Sequence, residues 1–229
     1  MLQLKDVESG YDESMVLRDV SIKVKQNQVI CILGRNGVGK STLIKTIMGV
    51  LKVQGGTIAF EDKELTKASA TIRSKAGIGY VPQGREIFTT LTVYENLLLG
   101  FESNPNKNKE IINKVYKYFP VLQEMKNRNG GDLSGGQQQQ LAIGRALIAE
   151  PKLLLLDEPA EGIQPNIVED IQNVILDLKN ETKTSMVLVE QDLGFAKAVG
   201  DYFYVIDRGT VVFEGSELID EKVEKHLSI

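Results

Sequence analysis

The segment Gly34-Arg35-Asn36-Gly37-Val38-Gly39-Lys40-Ser41 is where the chain first offers chemistry. Gly34, Gly39, Lys40 and Ser41 stand at the spacing of a phosphate-binding loop. Glycines there let backbone amides curl toward an anion with no Cβ in the way, and the helix that follows turns its positive end to the same charge. Lys40 is expected to reach outer phosphates, and the Ser41 hydroxyl a magnesium ion. A second group of reactive residues, Asp157 and Glu158, ends the apolar run Leu153 to Leu156. Alone, a strand closing on two carboxylates is common and reads as a solvated strand end. Beside the loop at Lys40, Asp157 is expected to hold magnesium, and Glu158 to polarise a water for attack on a terminal phosphate.

A third segment, Leu133-Ser134-Gly135-Gly136-Gln137, opens a helical pattern running through Leu141 to Ala149. It again combines a serine, glycines and a helix start, so it is a second phosphate-facing device. One chain thus carries two anion-binding helix starts but one carboxylate pair. The economical explanation is that the second start completes a site on a neighbouring molecule.

The elements that must position these residues read as an α/β chain. Leu2 to Val7 and Val20 to Val24 alternate as half-buried strands do, and Val29 to Leu33 is continuously apolar like a central strand. A helical pattern with Leu43, Ile44, Ile47 and Met48 follows the glycine loop, and Gly49 is placed to stop it. Gly55-Gly56 reads as a turn before a short strand Thr57 to Phe60, and Ile78 to Val81 is a further apolar run. From Thr92 to Ala149 the spacing is helical: Ile111, Val115, Phe119, Leu122 and Met125 recur, Pro120 starts a new short helix, and Asn104 to Asn108 is a polar loop. Strands then return at Leu153 to Leu156, Met186 to Val189, Tyr202 to Ile206 and Thr210 to Glu214. Helices are expected from Pro165, with Ile167, Val168, Ile171, Val174, Ile175 and Leu178 on one side, and over Leu193 to Val199.

The bulk numbers narrow the class. The chain has 229 residues, 42% hydrophobic and 25% charged, which suits one sizeable domain with its own core. Net charge is -4 with both signs mixed, so no basic block announces a nucleic-acid partner. The single cysteine, Cys31, lies in an apolar run and reads as a buried thiol, which fits a reducing compartment. No basic stretch leads into an apolar one at Met1 to Asp6, no run is long enough to span a bilayer, and the segment after Gly215 is short for a regulatory domain.

The order of these motifs, with Gln83 between the phosphate loop and Leu-Ser-Gly-Gly-Gln, resembles the nucleotide-binding subunit of an ABC transporter over essentially the whole chain. The combination is highly specific although each part is less so. The resemblance implies a single domain over residues 1–229. Its fold is a P-loop NTPase core of ABC type (1–83 and 151–229) with an N-terminal antiparallel β portion and an inserted α-helical subdomain (84–150). It implies ATP and Mg²⁺. Two such subunits would sandwich two ATP molecules head to tail. Gly34, Arg35, Asn36, Gly37, Val38, Gly39, Lys40, Ser41 and Thr42 would hold one ATP. Ser134, Gly135, Gly136 and Gln137 would close on the ATP of the other subunit. Tyr11 matches an aromatic that stacks on adenine. Gln83 matches a glutamine that touches the metal and senses the helical insert, and Phe88, Leu91, Val93 and Tyr94 would each either receive a coupling helix of a membrane partner or pack the insert. The partners implied are two permease subunits, a second ATP-binding subunit (a paralogue) and an extracellular solute-binding protein acting indirectly, at the cytoplasmic face of a bacterial or archaeal membrane.

Two departures bear on function. The family usually places a histidine after the strand Met186 to Val189; here Gln191 holds that position and is expected to donate to the terminal phosphate without ever becoming a cation. The loop Glu161-Gly162-Ile163-Gln164 ends in glutamine where aspartate is usual. The Val-Glu-Gln form resembles the branched-chain amino acid and amide uptake group, and Val81 to Phe88 together with Gln137 to Gln140 looks more like its urea branch. Urea import is therefore the leading expectation and branched-chain amino acid or amide import the alternative. A soluble ABC ATPase of DNA repair or translation is a lesser one, since no second nucleotide domain, long coiled-coil insert or basic surface is present, and Glu158 speaks against a regulator without turnover.

Overall fold

In the central strands every residue is buried, and alternation decides which of two cores each one enters. Val29, Cys31 and Leu33 join one apolar cluster while Ile30 and Ile32 join the other. Leu154 and Leu156 are likewise divided from Leu153 and Leu155, and Met186 and Leu188 from Val187 and Val189. A sheet covered on both faces requires such unbroken apolar runs, because neither side of the pleat meets water.

The computed structural model describes residues 1–104, 108–218 and 226. Its first part comprises β1 (Leu2–Tyr11), β2 (Ser14–Val24), β3 (Val29–Leu33), α1 (Lys40–Met48), β4 (Val53–Phe60), β5 (Lys63–Glu64), α2 (Ala70–Lys75) and β6 (Ile78–Val81). Four helices follow: α3 (Val93–Leu99), α4 (Glu110–Tyr118), α5 (Pro120–Glu124) and α6 (Gly135–Ile148). The last part is β7 (Leu153–Asp157), α7 (Pro165–Thr182), β8 (Ser185–Glu190), α8 (Leu193–Val199), β9 (Tyr202–Asp207) and β10 (Thr210–Gly215).

Two sheets result. One is antiparallel, in the order β2-β1-β4-β5; the other runs β10-β9-β3-β8-β7-β6, with β9, β3, β8, β7 and β6 parallel and β10 antiparallel at the edge. Helix α1 lies in the core shared by the two sheets, where its Leu43, Ile44 and Ile47 meet Leu4 and Val20 of the small sheet and Ile32 and Val189 of the large one. The opposite face of the large sheet packs on α7 and α8 and on the helices between β6 and β7. Cys31 points into that second core and is fully buried; its thiol donates to Ala196 O at 3.7 Å.

Local chemistry explains the boundaries. Gly49 ends α1 in the left-handed region at φ 79°, which glycine adopts without a Cβ clash. Pro120 starts α5 at a position where its missing N–H has no partner to lose. Thr92 and Ser134 cap α3 and α6, each in a reciprocal pairing with the residue three further on. The expected turn at Gly55-Gly56 is instead inside β4, at a shift of register against β1. Gly56 has φ 75°, and a Cβ there would lie 2.1 Å from Asp6 O. A glycine pair served as a bulge here, an outcome that composition alone does not distinguish from a turn. Strands β1 and β2 also run longer than their alternation suggested, to meet at a turn after Tyr11. The polar loop Asn104 to Asn108 and the segment beyond Gly215 fall partly outside the described residues. No helix among the described residues is long and apolar enough to cross a membrane.

Candidate functional site

The parallel strands deliver their functional residues at their carboxyl ends, where an open α/β sheet forms its ligand crevice. Strand β3 runs into the glycine loop, β6 leads to Gln83, β7 ends in Asp157 and β8 ends in Glu190 before Gln191. Because β3, β8, β7 and β6 are neighbours in that order, four sequence-distant segments meet along one edge.

The loop conformation depends on its glycines. Gly37 and Gly39 take φ 79° and 114°, and Gly39 caps α1. A Cβ on Gly34 would lie 2.5 Å from Ile206 O, so the loop presses against β9. Val38 accepts from Gly209 N at 2.9 Å, which ties the loop to the β9–β10 turn. The ammonium of Lys40, 4% exposed, donates to Gly34 O at 2.9 Å and Arg35 O at 3.0 Å, and pairs with Glu158 Oε1 at 3.1 Å. The lysine thus bridges the glycine loop to the end of β7.

Glu158 is the hub. It adopts φ 49° as the chain leaves β7, and its backbone N–H still donates to Val189 O at 2.9 Å. Besides the pair with Lys40, it accepts from Gln83 Nε2 at 3.1 Å and from Gln191 Nε2 at 3.1 Å. Gln83 also donates to Glu161 Oε2 at 2.9 Å. One carboxylate therefore gathers the lysine and both glutamines that sequence reasoning singled out.

Asp157 and Ser41 are in direct contact. Ser41 Oγ donates to Asp157 Oδ1 at 3.2 Å, while Asp157 Oδ2 is buried with no hydrogen-bond partner. Burial is the main cause that pushes Asp157 up to about 6; the Ser41 hydrogen bond opposes it. An orphaned buried oxygen of this kind is what a cation would satisfy. Among the described residues no group of three His, Cys, Asp or Glu side chains could hold a metal. The donor set fits Mg²⁺, which is bound through one or two protein oxygens with the rest from phosphate and water.

Tyr11, Asn36, Gly37, Gly39, Lys40, Ser41, Thr42, Gln83 and Glu158 line one cavity of about 320 Å³. Tyr11 is 45% exposed. Gly34, Arg35 and Val38 do not line the cavity. Ser134, Gly135, Gly136 and Gln137 are absent from this cavity. Ser134 Oγ accepts from Gln137 N, a Cβ on Gly136 would meet Ile167 of α7, and one on Gly135 would meet the Arg85 guanidinium. The predicted residues accordingly form two separate stations on one molecule. His226 pairs with Asp207 at 3.1 Å.

Sequence reasoning missed Val16 on the cavity wall, Glu161, and the buried carboxylate of Glu190. Glu190 carried a legible signal: like Asp157, it is an acid ending a continuously apolar strand.

Comparison with known proteins accords with this geometry. Residues 17–161 match the family described as ABC transporter. The chain is 40% identical over 213 residues to the high-affinity branched-chain amino acid transport ATP-binding protein BraG of Pseudomonas aeruginosa, covering 93% of this chain and 91% of that one. It is 37% identical over 229 residues to the probable branched-chain amino acid transport ATP-binding protein LivF of Archaeoglobus fulgidus, covering 98% and 97%. A crystal structure of a nucleotide-free ATP-binding cassette from an ABC transporter superposes with a TM-score of 0.84 at 32% identity, covering 100% of this chain and 95% of the other. The two-sheet core with its helical section is the ABC cassette fold. This chain belongs to the ABC transporter family as an ATP-binding cassette ATPase coupled to transport.

Proposed function

We propose that this chain binds and hydrolyses Mg-ATP to drive an importer of branched-chain amino acids. It acts from the cytoplasmic face of a bacterial or archaeal membrane. The observation that carries the chemistry is the convergence of Lys40, Gln83 and Gln191 on Glu158. The substrate reading is supported by the two relatives, both branched-chain amino acid transport ATP-binding proteins matched over nearly their full length.

In this reading Lys40 exchanges the carbonyls of Gly34 and Arg35, and its pairing with Glu158, for phosphate oxygens of ATP. Loss of the lysine partner frees the Glu158 carboxylate to orient and polarise the attacking water. Gln191 turns from Glu158 to the terminal phosphate. Ser41 and Asp157 would hold Mg²⁺, with Gln83 beside it, and the ion would supply charge to offset the phosphates. Tyr11 offers its ring to the base. Ser134 to Gln137 serve the nucleotide of a second ATP-binding subunit, a paralogue arranged head to tail, because they stand apart from this chain's own cavity. Two permease subunits complete the complex, docking beside Phe88 and Tyr94, which are 52% and 36% exposed. A solute-binding protein delivers the solute from outside.

Urea import is a second reading, carried by the Gln137 to Gln140 run and the Val81 to Phe88 segment. Uptake by proteoliposomes of the assembled complex separates the two. ATP-dependent accumulation of labelled leucine with none of urea is the expected result, and the reverse would replace the proposal with the urea reading. In the same vesicles Glu158→Gln is expected to lower turnover by about 10²-fold or more and to accumulate an ATP-bound dimer.

A further inference from the structure

We propose that Glu190 is a positioning residue that sets the geometry of Glu158 and Gln191 together, by bridging the two backbone segments that carry them. The inference deepens the ATPase reading above and rests on it.

Glu190 is the last residue of β8 and is 4% exposed. Its Oε1 accepts from Ala160 N at 3.2 Å and its Oε2 from Gln191 N at 3.2 Å. Ala160 lies two residues after Glu158, and the Gln191 side chain returns to Glu158 Oε1 at 3.1 Å. A closed ring results: Glu158 to Ala160 along the chain, across to Glu190, on to Gln191, and back to Glu158. The ring holds Glu158 just where its backbone takes φ 49° as the chain leaves β7.

The chemistry requires two acceptors on one side chain. A carboxylate offers one oxygen to each N–H; a glutamine offers one oxygen and would turn its NH₂ toward the other donor. Among the described residues no lysine, arginine or histidine forms an ion pair with Glu190. Glu158 faces it from the end of β7, and the Cys31 thiol on β3 lies within its field. Burial, chiefly, pushes its carboxyl up to about 7 and the charge of Glu158 adds to the rise, while the backbone N–H groups of Ala160, Gln191 and Asp192 act against it. An acid placed here without a cation is unfavourable for stability, so its place in the ring is a matter of geometry.

The test uses Glu190→Gln in the assembled complex, with wild type and Glu158→Gln beside it. The variant is expected to lose about ten- to a hundredfold in kcat, as small misplacements of reacting groups do, with KM for ATP held within about twofold. Nucleotide affinity of the free subunit should stay within about twofold, and its melting temperature within about 4 °C. Should this variant fail to bind nucleotide, Glu190→Asp, which keeps both oxygens on a shorter stem, is measured by the same split of kcat from KM. A kcat within twofold of wild type would overturn the inference. So would losses of kcat and affinity in equal proportion, the mark of a general structural defect. If wild type hydrolyses and Glu158→Gln does not, yet Glu190→Gln is normal, only this inference falls. If wild type itself fails to turn over in the complex, the ATPase reading falls first.

Discussion

Glu190 also fixes how stability should respond to pH. Its carboxyl titrates at about 7 in the folded chain against 4.5 for the free group. Folding thus favours the protonated form. The contribution is fully present below about 4.5 and is lost as pH rises through about 7. The stability of wild type relative to Glu190→Gln should therefore fall by about 2–3 kcal/mol between pH 5 and pH 8.5, measured by denaturant unfolding of the nucleotide-free subunit. A difference independent of pH would show that the group titrates as it does in water. Lys40 and Glu158 present the opposite situation. Both are buried and each neutralises the other, so removing one leaves a stranded charge. Glu158→Gln is the milder change at the hub because it keeps the length of the side chain, but it too leaves the Lys40 charge unpaired and turns an NH₂ toward one of the donors that Glu158 now accepts.

At the scale of elements, Gly56 shows what a strand tolerates. With φ at 75° and Asp6 O only 2.1 Å from where a Cβ would stand, the position has room for hydrogen alone. Gly56→Ala is expected to lower the melting temperature of the free subunit by about 5–10 °C, read by thermal denaturation, without changing the residues that line the nucleotide cavity. A shift under about 2 °C would mean that the small sheet yields at this point. The same glycine marks the limit of what sequence discloses. The runs Val29 to Leu33, Leu153 to Leu156 and Met186 to Val189 were legible because burial on both faces makes them continuously apolar, and the face from Ile167 to Leu178 because one-sided burial imposes a helical period. The glycine loop and its helix were legible because phosphate chemistry admits few residue types. Gly55-Gly56 was not, since a bulge and a turn call for the same residue. Helix α2 escaped because its six residues hold Arg73, a buried cation that donates to Thr46 O, Ile47 O, Thr66 O and Ala68 O and so caps α1 and its surroundings from outside. Its role rests on tertiary contacts that no local pattern announces. Glu161 escaped for a related reason, since it acquires meaning only through Gln83, whereas Glu190, an acid closing an apolar strand, could have been read.

Across the whole molecule, the two groups of predicted residues stand apart. Its phosphate cavity contains Lys40 and Glu158, and the cap of α6 stands elsewhere, with Ser134 exposed. If the second station serves the partner's nucleotide, Ser134→Arg should spare photolabelling of this chain by azido-ATP in the complex and weaken it on the partner subunit by at least about tenfold. Loss on this chain instead would place Ser134 in its own site and end the head-to-tail arrangement. The helical section between β6 and β7 carries both Ser134 and the exposed Phe88, over whose ring Arg145 sits at 5.5 Å. Arg145 also donates to Glu86 O at 2.7 Å, within a run where Gly84, Arg85 and Glu86 all take positive φ. If Gln83 meets the nucleotide and Phe88 a membrane partner, as proposed, a few residues of unusual backbone join the two.

The sealed position of Cys31 has a practical use. A thiol held in the middle of β3, with burial raising its pKa far above the ordinary range, is out of reach of maleimides and of disulfide exchange while the fold is intact. The natural chain is therefore already a blank background for spin labels or fluorophores. Cysteines introduced singly on either station would report subunit closure in real time, with no need to engineer the native one away.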